Sequence, residues 1–374
     1  MSALSLPRAG VRTEVRTILG WWLASRVVTF AAFAVLGLIG PQGWFGPRMY
    51  AGPLGLLGAW DGVWYLRIAE HGYVMIPGRE SDPAFFPLFP IILRVGHELT
   101  HASPALVGVV VANVALAVAL VAFYDVGRRV VGAETAQRAT LYAAFCPLAF
   151  VYSMVYPMSL LLAFACLALL AGFRQRWLLA AAFAALAALT RPEAIVLSMP
   201  LAAIAWRQRQ ELDAGARGRA VAAVLAAPAA IASYPLYLKW SLGDARAWSQ
   251  SERFWGRSFA LDGPVRAVRD LAPSLAAHPG FARDLVLVVV YAVLLVAARR
   301  HGVSWPWIAS GAALIVAPLF SGTVESEGRF GLLCFAAYWG LAAATPTRRA
   351  QQRTVGVLVT LLVAGVLTLP YVWP

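Results

Sequence analysis

Residues 18–39 have the sequence ILGWWLASRVVTFAAFAVLGLI, and this stretch decides the fold class of the chain. It is apolar over a length that can cross the ~30 Å hydrocarbon core of a bilayer as an α-helix. Arg8, Arg12 and Arg16 precede it, and by the positive-inside rule they place the N-terminus in the cytoplasm. Because the stretch lacks a small-residue cleavage site, we interpret it as an uncleaved first span. The chain after residue 39 is therefore expected on the extracytoplasmic side.

The composition extends this interpretation to the whole chain. Of 374 residues, 60% are hydrophobic and 13% are charged, and the mean hydropathy is +0.70. Such a chain has too little polar surface for a soluble fold, so we predict an all-α, polytopic membrane helical bundle. The formal charge of +13 would suggest nucleic-acid binding in a soluble protein. Here the arginines form short clusters between apolar runs, which favours membrane topology as the cause and predicts no nucleic-acid partner.

Metal and disulfide sites are not predicted. Cys146, Cys166 and Cys334 are odd in number, lie inside apolar runs and have no metal-type spacing. We therefore interpret them as small core residues.

We predict about eleven spans, within a range of about 10 to 13, in a single integral membrane domain over residues 1–374. The turns assigned to the cytoplasm are rich in arginine, whereas residues 41–103 and 243–280 form two long extracytoplasmic loops. The two short spans around residue 191 could instead be one broken helix. After the first, the predicted spans are residues 106–124, 139–152, 155–173, 178–190, 194–206, 221–240, 281–298, 305–320, 330–344 and 355–369.

The first extracytoplasmic loop opens with residues 60–73, WDGVWYLRIAEHGY. If Asp61 is the N-cap of a short helix, Tyr65 and Ile68 share its face and Gly72 ends the helix. A helix N-terminus favours an ionised carboxylate, and a base that accepts a proton from a hydroxyl must be ionised at rest. The alternative is a simple cap on an interfacial helix whose aromatic side chains lie at headgroup level.

A second apolar piece in this loop has the sequence DPAFFPLFPII over residues 82–92. It is too short and too rich in proline to cross a bilayer. We predict a juxtamembrane or re-entrant helix here.

Arginines on the extracytoplasmic side are not explained by topology. Arg253, Arg257 and Arg329 lie in outside loops, and Arg191 with Glu193 interrupts a hydrophobic stretch. Charges within spans are costly and usually point at protein, water or ligand. The alternatives are an Arg191–Glu193 ion pair that fixes the helix break, and headgroup contact by Arg253 and Arg257. Several cations near one carboxylate predict an anionic lipid substrate with a hydroxyl-bearing partner, and no phosphate loop or catalytic triad competes with that prediction.

Taken together, these segments resemble bacterial relatives of the GPI mannosyltransferase 2 (PIG-V type) family, within the GT-C superfamily of lipid-phosphate-sugar-dependent glycosyltransferases. Each motif is weak alone, but their order and shared outside placement make the set specific. The matching segments are residues 60–73, 85–90 (FFPLFP), 147–156, 189–192 (LTRP), 243–257 and 326–330 (SEGRF).

The resemblance implies a GT-C fold with juxtamembrane helices in the first loop, and a sugar donor on a polyprenyl phosphate, typically mannose. It also implies a glycolipid or glycan acceptor at the extracytoplasmic face, with surrounding membrane lipids as partners and no cofactor or metal. Asp61 takes the role of general base in an inverting transfer. Arg257 and Arg329 are the first candidates to stabilise the departing phosphate. The further substrate-binding candidates are Arg191, Arg253, Glu193, Trp60, Tyr65, Tyr156 and Trp255.

One position departs from the family pattern. Ser153-Met154-Val155-Tyr156 is followed by Pro157-Met158, where family members usually carry a glutamate. Either Glu193 supplies the missing carboxylate, or the acceptor differs, or the protein has lost activity. Full transfer activity in Glu193→Gln would exclude the first version.

Two other functions stay open at this point. Broken helices with embedded charges are also typical of a transporter or lipid flippase, although the chain has no matching interruptions in two repeat halves. The protein could also be a non-catalytic partner of another glycosyltransferase. Asp61→Asn separates the possibilities, because only an enzyme would lose sugar transfer while still folding.

Overall fold

The computed structural model describes residues 8–40, 54–277, 280–323 and 327–371. Within these ranges the regular structure is helical and contains no strand, so the all-α prediction is confirmed. Short 3-10 turns occupy Leu56–Gly58, Asp82–Ala84, Ala149–Ser153, Pro192–Leu197 and Gly331–Leu333. The α-helices are, in chain order, Arg8–Ile39 (α1), Asp61–His71 (α2), Leu88–Thr100 (α3), Pro104–Val130 (α4), Ala133–Ala144 (α5), Met158–Phe173 (α6), Trp177–Thr190 (α7), Ser198–Gln208 (α8), Ala214–Leu242 (α9), Ala247–Phe254 (α10), Gly263–Arg269 (α11), Leu271–Ala277 (α12), Phe281–Arg300 (α13), Trp305–Leu319 (α14), Glu327–Phe330 (α15), Phe335–Ala344 (α16) and Arg348–Leu367 (α17).

The chain is a multi-pass membrane protein. In the described part, five helices are long and apolar enough to cross a bilayer, namely α1, α4, α9, α13 and α17. Helices α6, α7, α14 and α16 are apolar but shorter. Val110, Val114 and Val118 are exposed at four-residue spacing on α4, as expected of a face that meets lipid. Each of the eleven predicted spans overlaps a helix, but the count of eleven stays a prediction.

Small residues bring the central helices together. Helix α7 packs on α9, and α6 packs on both α4 and α7. Ala184 and Ala188 of α7 and Ala223 and Ala227 of α9 are fully or almost fully buried. Between membrane helices there is little hydrophobic driving force, so close packing of small side chains supplies much of the association energy.

A buried arginine in α1 joins this core to the candidate site. The Arg26 guanidinium donates to the Ala149 carbonyl at 3.1 Å and to Ser153 Oγ at 2.7 Å. Both acceptors lie in the 3-10 turn that follows α5, so the guanidinium satisfies the Ala149 carbonyl, which a continuous helix would have bonded itself. The chain continues from this turn to Tyr156, which contacts the site described below.

The predicted break at residues 191–193 is present. Helix α7 ends at Thr190, Arg191 is extended at φ −159° and ψ 143°, and Pro192 begins a 3-10 turn that leads into α8. Proline cannot continue the hydrogen-bond ladder of α7, which explains why the helix stops here. The break leaves the Arg191 and Glu193 side chains beside each other.

Candidate active site

Asp61 is the first residue of α2 and is not its N-cap. The prediction of a capping role was wrong, because Trp60 is the cap residue, and the Trp60 side chain makes no capping hydrogen bond. Trp60 has φ 59° and ψ −125°, a strained conformation for a residue with a side chain. Its indole nitrogen donates to the Leu369 carbonyl at 2.9 Å, and the next peptide N–H, of Asp61, donates to the Tyr156 hydroxyl at 3.0 Å. These contacts stabilise the strained turn and leave the Asp61 carboxylate available for other partners. Gly72, at φ 80°, ends the helix as predicted.

The Asp61 carboxylate forms an ion pair with Arg329, 268 positions later in the chain. Arg329 is buried, and it lies on α15, next to Gly328. Gly328 is fixed on both sides, because its N–H donates to Asp284 Oδ1 at 3.2 Å and its carbonyl accepts from Tyr291 at 3.3 Å. Helix α13 therefore positions the arginine that meets Asp61.

Arg191 and Glu193 form a second ion pair. Arg191 Nε and Nη2 donate to Glu193 Oε1 at 2.9 and 2.5 Å, so the ion-pair alternative for these residues holds. The guanidinium carbon of Arg191 lies 5.9 Å from the centre of the Phe330 ring, and so does that of Arg257. Both cations therefore flank the residue that follows Arg329.

Tyr65 lies between the two ion pairs. It occurs one turn after Asp61 on α2, it is buried, and its hydroxyl interacts with the charges of Arg191, Asp61, Glu193 and Arg329. Burial raises the pKa of Tyr65 above its ordinary value. The phenol is thus a neutral hydrogen-bonding group at physiological pH.

Helix α10 adds a carboxylate that the sequence analysis missed. Trp248 Nε1 donates to Glu252 Oε1 at 3.3 Å, and the Ser251 hydroxyl donates to the Ser81 carbonyl at 2.7 Å. The Arg257 N–H donates to the Glu252 carbonyl at 2.8 Å, which turns the chain back over the helix end. Burial raises the pKa of Glu252, although the charge of Arg257 opposes this shift. The i, i+4 spacing of Trp248 and Glu252 was the only sequence signal for it.

These groups line one cavity of about 520 Å³. That volume lies within the range of roughly 300–1,000 Å³ that is typical of ligand pockets. Four arginines and three carboxylates of the described residues line it, which leaves one net positive charge. Of the predicted site residues, Trp60 and Tyr156 are absent from the lining and act through their contacts with the Asp61 turn. The cavity brings together Asp61, Tyr65, Arg191, Glu193, Arg253, Trp255, Arg257 and Arg329.

Aromatic rings form one wall of the cavity. Tyr65 and Trp255 each pack edge-on against Phe85, with ring centres 5.1 and 5.8 Å apart. Trp64 stacks on Phe85 at 5.6 Å from the outer side. Phe85 belongs to the predicted segment of residues 82–92, which here forms a 3-10 turn followed by the start of α3. The cavity therefore combines a charged side with an apolar, aromatic side.

In the described ranges, no three His, Cys, Asp or Glu side chains come together in a way that could hold a metal ion. The expectation that the reaction needs no metal stays a prediction.

A family model described as Mannosyltransferase (PIG-V) matches residues 48–205. Over this range the chain is PIG-V-like. The match contains Asp61, the Phe85 segment and the Arg191–Glu193 break, so the predicted resemblance is confirmed for the N-terminal part of the site. Glu252, Arg257 and Arg329 lie beyond it.

Curated relatives of this PIG-V-like chain agree with the family match. The chain is 38% identical over 110 residues to GPI alpha-1,6-mannosyltransferase 2 of Cricetulus griseus, which is 26% of this chain and 21% of the relative. It is 46% identical over 61 residues to the Homo sapiens protein of that name, covering 16% of this chain and 11% of the relative. The aligned segments thus span about a fifth or less of these relatives.

Two solved structures are similar to this chain at low sequence identity. ArnT from Cupriavidus metallidurans bound to undecaprenyl phosphate has a TM-score of 0.49 and 16% identity, covering 91% of this chain and 62% of that one. The oligosaccharyltransferase AglB from Archaeoglobus fulgidus, in complex with an inhibitory peptide and a dolichol-phosphate, has a TM-score of 0.44 and 10% identity, covering 94% and 55%.

Proposed function

We propose that the protein is an inverting glycosyltransferase of the GT-C type that transfers a sugar from a polyprenyl-phosphate donor. The PIG-V-like segment favours mannose as the sugar, and the acceptor is a hydroxyl of a glycolipid or glycan. The observation that carries the proposal is the convergence of Asp61 and Arg329 in one cavity with Arg191 and Arg257. Charges so far apart in the sequence are brought together here in a mostly buried site, where an unused carboxylate and its partner would be costly.

The reaction needs a base and a stabilised leaving group. Asp61 accepts the proton of the acceptor hydroxyl while that oxygen attacks the anomeric carbon of the donor. The bond between the anomeric carbon and the phosphate oxygen breaks at the opposite side of the sugar, so its configuration inverts. A positioned base of this kind contributes roughly 10²- to 10⁴-fold to the rate.

Arginines stabilise the phosphate that departs. The leaving lipid phosphate gains negative charge and needs cationic hydrogen-bond donors rather than a proton. Arg257 and Arg191, which flank Phe330, are assigned to this role together with the more exposed Arg253. Arg329 is bonded to Asp61 and is assigned to orient the base, in addition to its charge near the phosphate.

The net charge of the cavity favours a lipid monophosphate donor. A polyprenyl-phosphate sugar is a phosphodiester with a single negative charge, which balances the single excess positive charge that the described lining residues carry. A nucleotide sugar carries a diphosphate and would leave the cavity with excess negative charge. The site is proposed to face the extracytoplasmic side, with the N-terminus in the cytoplasm, because Arg8, Arg12 and Arg16 precede the first span.

The test is mannosyl transfer by the purified chain in lipid nanodiscs. The donor is polyprenyl-phosphate mannose and the acceptors are membrane glycolipids extracted from the expression host. We expect the wild-type chain to consume donor and release polyprenyl phosphate in the presence of acceptor, and Asp61→Asn to lose this activity while still folding. A wild-type chain that moves labelled lipid between leaflets without consuming it would instead favour the flippase alternative.

A further inference from the structure

The three carboxylates that line the cavity within the described ranges differ in their partners. Asp61 is bonded to Arg329, and Glu193 Oε1 is bonded twice to Arg191. In the part of the chain that the structure describes, the Trp248 indole is the only side-chain hydrogen-bond partner of Glu252, and no arginine nitrogen lies within ion-pair distance of its carboxylate. One of its carboxyl oxygens is thus fixed, while the side chain still lines the cavity.

Glu193 is unsuited to bind a ligand in this arrangement. Its side chain is 9% exposed, and its second oxygen, Oε2, is covered by protein atoms. A ligand could reach that oxygen only after the protein atoms that cover it had moved. Glu252 therefore fits the role of a ligand-binding carboxylate better than the residue the sequence suggested.

Helix α10 holds Glu252 in a fixed position. Ala247 and Ser251 are buried, and Ser251 is bonded to the chain at Ser81. Trp248 packs edge-on against Phe86, with ring centres 5.2 Å apart, while its indole nitrogen meets Glu252. A side chain locked in this way can bind a ligand without a large loss of rotamer entropy.

The surroundings of Glu252 match a sugar rather than a cation. The charges of Arg257 and Arg191 both act on Glu252 more strongly than the opposing charge of Glu193 does, so a cationic ligand would meet net repulsion from these neighbours. The cavity also contains the rings of Trp255 and Phe85, and aromatic rings can pack against the apolar face of a sugar ring. Sugar hydroxyls can both donate and accept hydrogen bonds, so they can bond the Glu252 carboxyl group whether it is protonated or ionised.

We infer that Glu252 is a substrate-binding residue that accepts a hydrogen bond from a sugar hydroxyl. Trp248 is its positioning residue, and Trp255 and Phe85 form the aromatic wall against which the sugar ring packs. The cavity then has two halves. Arg257 with Arg191 binds phosphate, and Glu252 with the aromatic wall binds the neutral sugar. This inference rests on the proposed function for the identity of the sugar, but the binding site itself does not require turnover.

The test separates the two halves with two probes. Binding of methyl α-mannoside, a sugar without phosphate, and of polyprenyl phosphate, a phosphate without sugar, is measured on the full chain in nanodiscs. We expect Glu252→Ala to weaken the binding of methyl α-mannoside roughly tenfold, since the loss of a hydrogen bond to a charged group changes the affinity by about that factor. Polyprenyl phosphate should bind within about twofold of wild type, because the arginines are unchanged.

Conservative and control variants sharpen the result. Glu252→Gln keeps a hydrogen-bonding group of the same shape, so it should lose less mannoside binding than Glu252→Ala. Trp248→Phe removes the indole N–H that fixes Glu252, so its affinity for methyl α-mannoside should lie between those of wild type and Glu252→Ala. Glu211→Ala, which removes an exposed glutamate bonded to Gln175 near α8, should leave both probes unaffected.

Three outcomes would overturn the inference. In the first, the wild-type chain does not bind methyl α-mannoside. In the second, Glu252→Ala binds it as tightly as wild type does. In the third, Glu252→Ala loses affinity for methyl α-mannoside and for polyprenyl phosphate by the same factor. The proposed function fails separately, if wild-type protein binds the mannoside through Glu252 but never consumes polyprenyl-phosphate mannose.

Discussion

Two aspartates in this protein gather arginines, and their settings differ. Asp61 meets Arg329 across 268 positions of sequence, and the Arg329 side chain is only 7% exposed. Asp125, at the end of α4, meets Arg128 and Arg129 at helical spacing and Arg174 at 3.1 Å, with 28–52% of each arginine side chain exposed. The first cluster exists only because of the tertiary fold, whereas the second follows largely from i, i+3 and i, i+4 spacing.

The surroundings differ as well. The Asp61 cavity is lined by seven charged side chains of the described residues. A cavity of about 510 Å³ beside Asp125 is lined mainly by aliphatic side chains of α1, α4 and α6. A cluster formed by local spacing needs no function to explain it, since surface ion pairs are common. Charges buried together from distant segments are costly, and this cost is what points to a functional site.

The largest contrast is expected in catalysis. Asp61→Asn should lower mannosyl transfer by roughly 10²- to 10⁴-fold, because the amide cannot accept the proton. Asn keeps an oxygen for Arg329, so the fold should persist. Asp125→Asn removes a similar charge and should leave the rate unchanged. Transfer from polyprenyl-phosphate mannose by both variants in nanodiscs measures the difference, and equal rates for the two would remove the distinction between the clusters.

Arg329 and Arg174 should differ in how much each contributes to the free energy of unfolding. Arg329→Met leaves Asp61 buried without its partner and should cost about 3–5 kcal/mol of unfolding free energy. Arg174→Met breaks an exposed pair and should cost about 0–1 kcal/mol. Thermal unfolding of each variant, compared with the double variant Asp61→Leu/Arg329→Met, provides the measurement. The double variant should recover much of the loss, and an equally unstable double variant would contradict the account.

Phosphate binding should distinguish the two clusters next. Arg257→Gln should weaken polyprenyl phosphate roughly tenfold to a hundredfold, since hydrogen bonds to charged groups are worth about 1.5–3 kcal/mol. Arg128→Gln, at the other cluster, should have no effect. Titration with polyprenyl phosphate measures the affinity of both variants. A larger loss of affinity in Arg128→Gln than in Arg257→Gln would place the lipid phosphate at the Asp125 cluster and contradict the assignment to the Asp61 cavity.

The smallest effect is expected from the protonation of Glu252. Burial raises its pKa in the folded chain above the unfolded value, so the folded state binds more protons in that pH window and ionised Glu252 opposes folding. Glu252→Gln should therefore raise the unfolding temperature at pH 7. This gain should shrink as the pH falls through the raised pKa and vanish below the ordinary value. A variant less stable than wild type at pH 7 would contradict the shift. Glu211→Gln, whose carboxylate is exposed, provides the control.

The sequence predicted the helical membrane fold well, because the evidence for it is local. Residues 18–39 identify a span by length and hydropathy alone, and Gly72 ends α2 because a positive φ suits glycine. The arginine pattern also identified Arg191 and Arg257 as exceptions to the topology rule. Both line the cavity with Asp61.

What the sequence missed depends on distant contacts. The N-cap role of Asp61 was wrong because Trp60 takes that position in a strained turn, supported by Tyr156 and Leu369. Arg26 was not singled out, since its carbonyl partners at Ala149 become available only where the helix after α4 breaks. Glu252 was passed over for the same reason, because only the folding of α10 against the Phe86 segment turns it into the cavity.

The most direct test of the central claim is a density map of the chain with polyprenyl phosphate bound in a nanodisc. We expect phosphate density inside the Asp61 cavity, in contact with Arg257 and beside the Asp61–Arg329 pair. Phosphate density at Arg128 and Arg174 instead, with the Asp61 cavity empty, would contradict it.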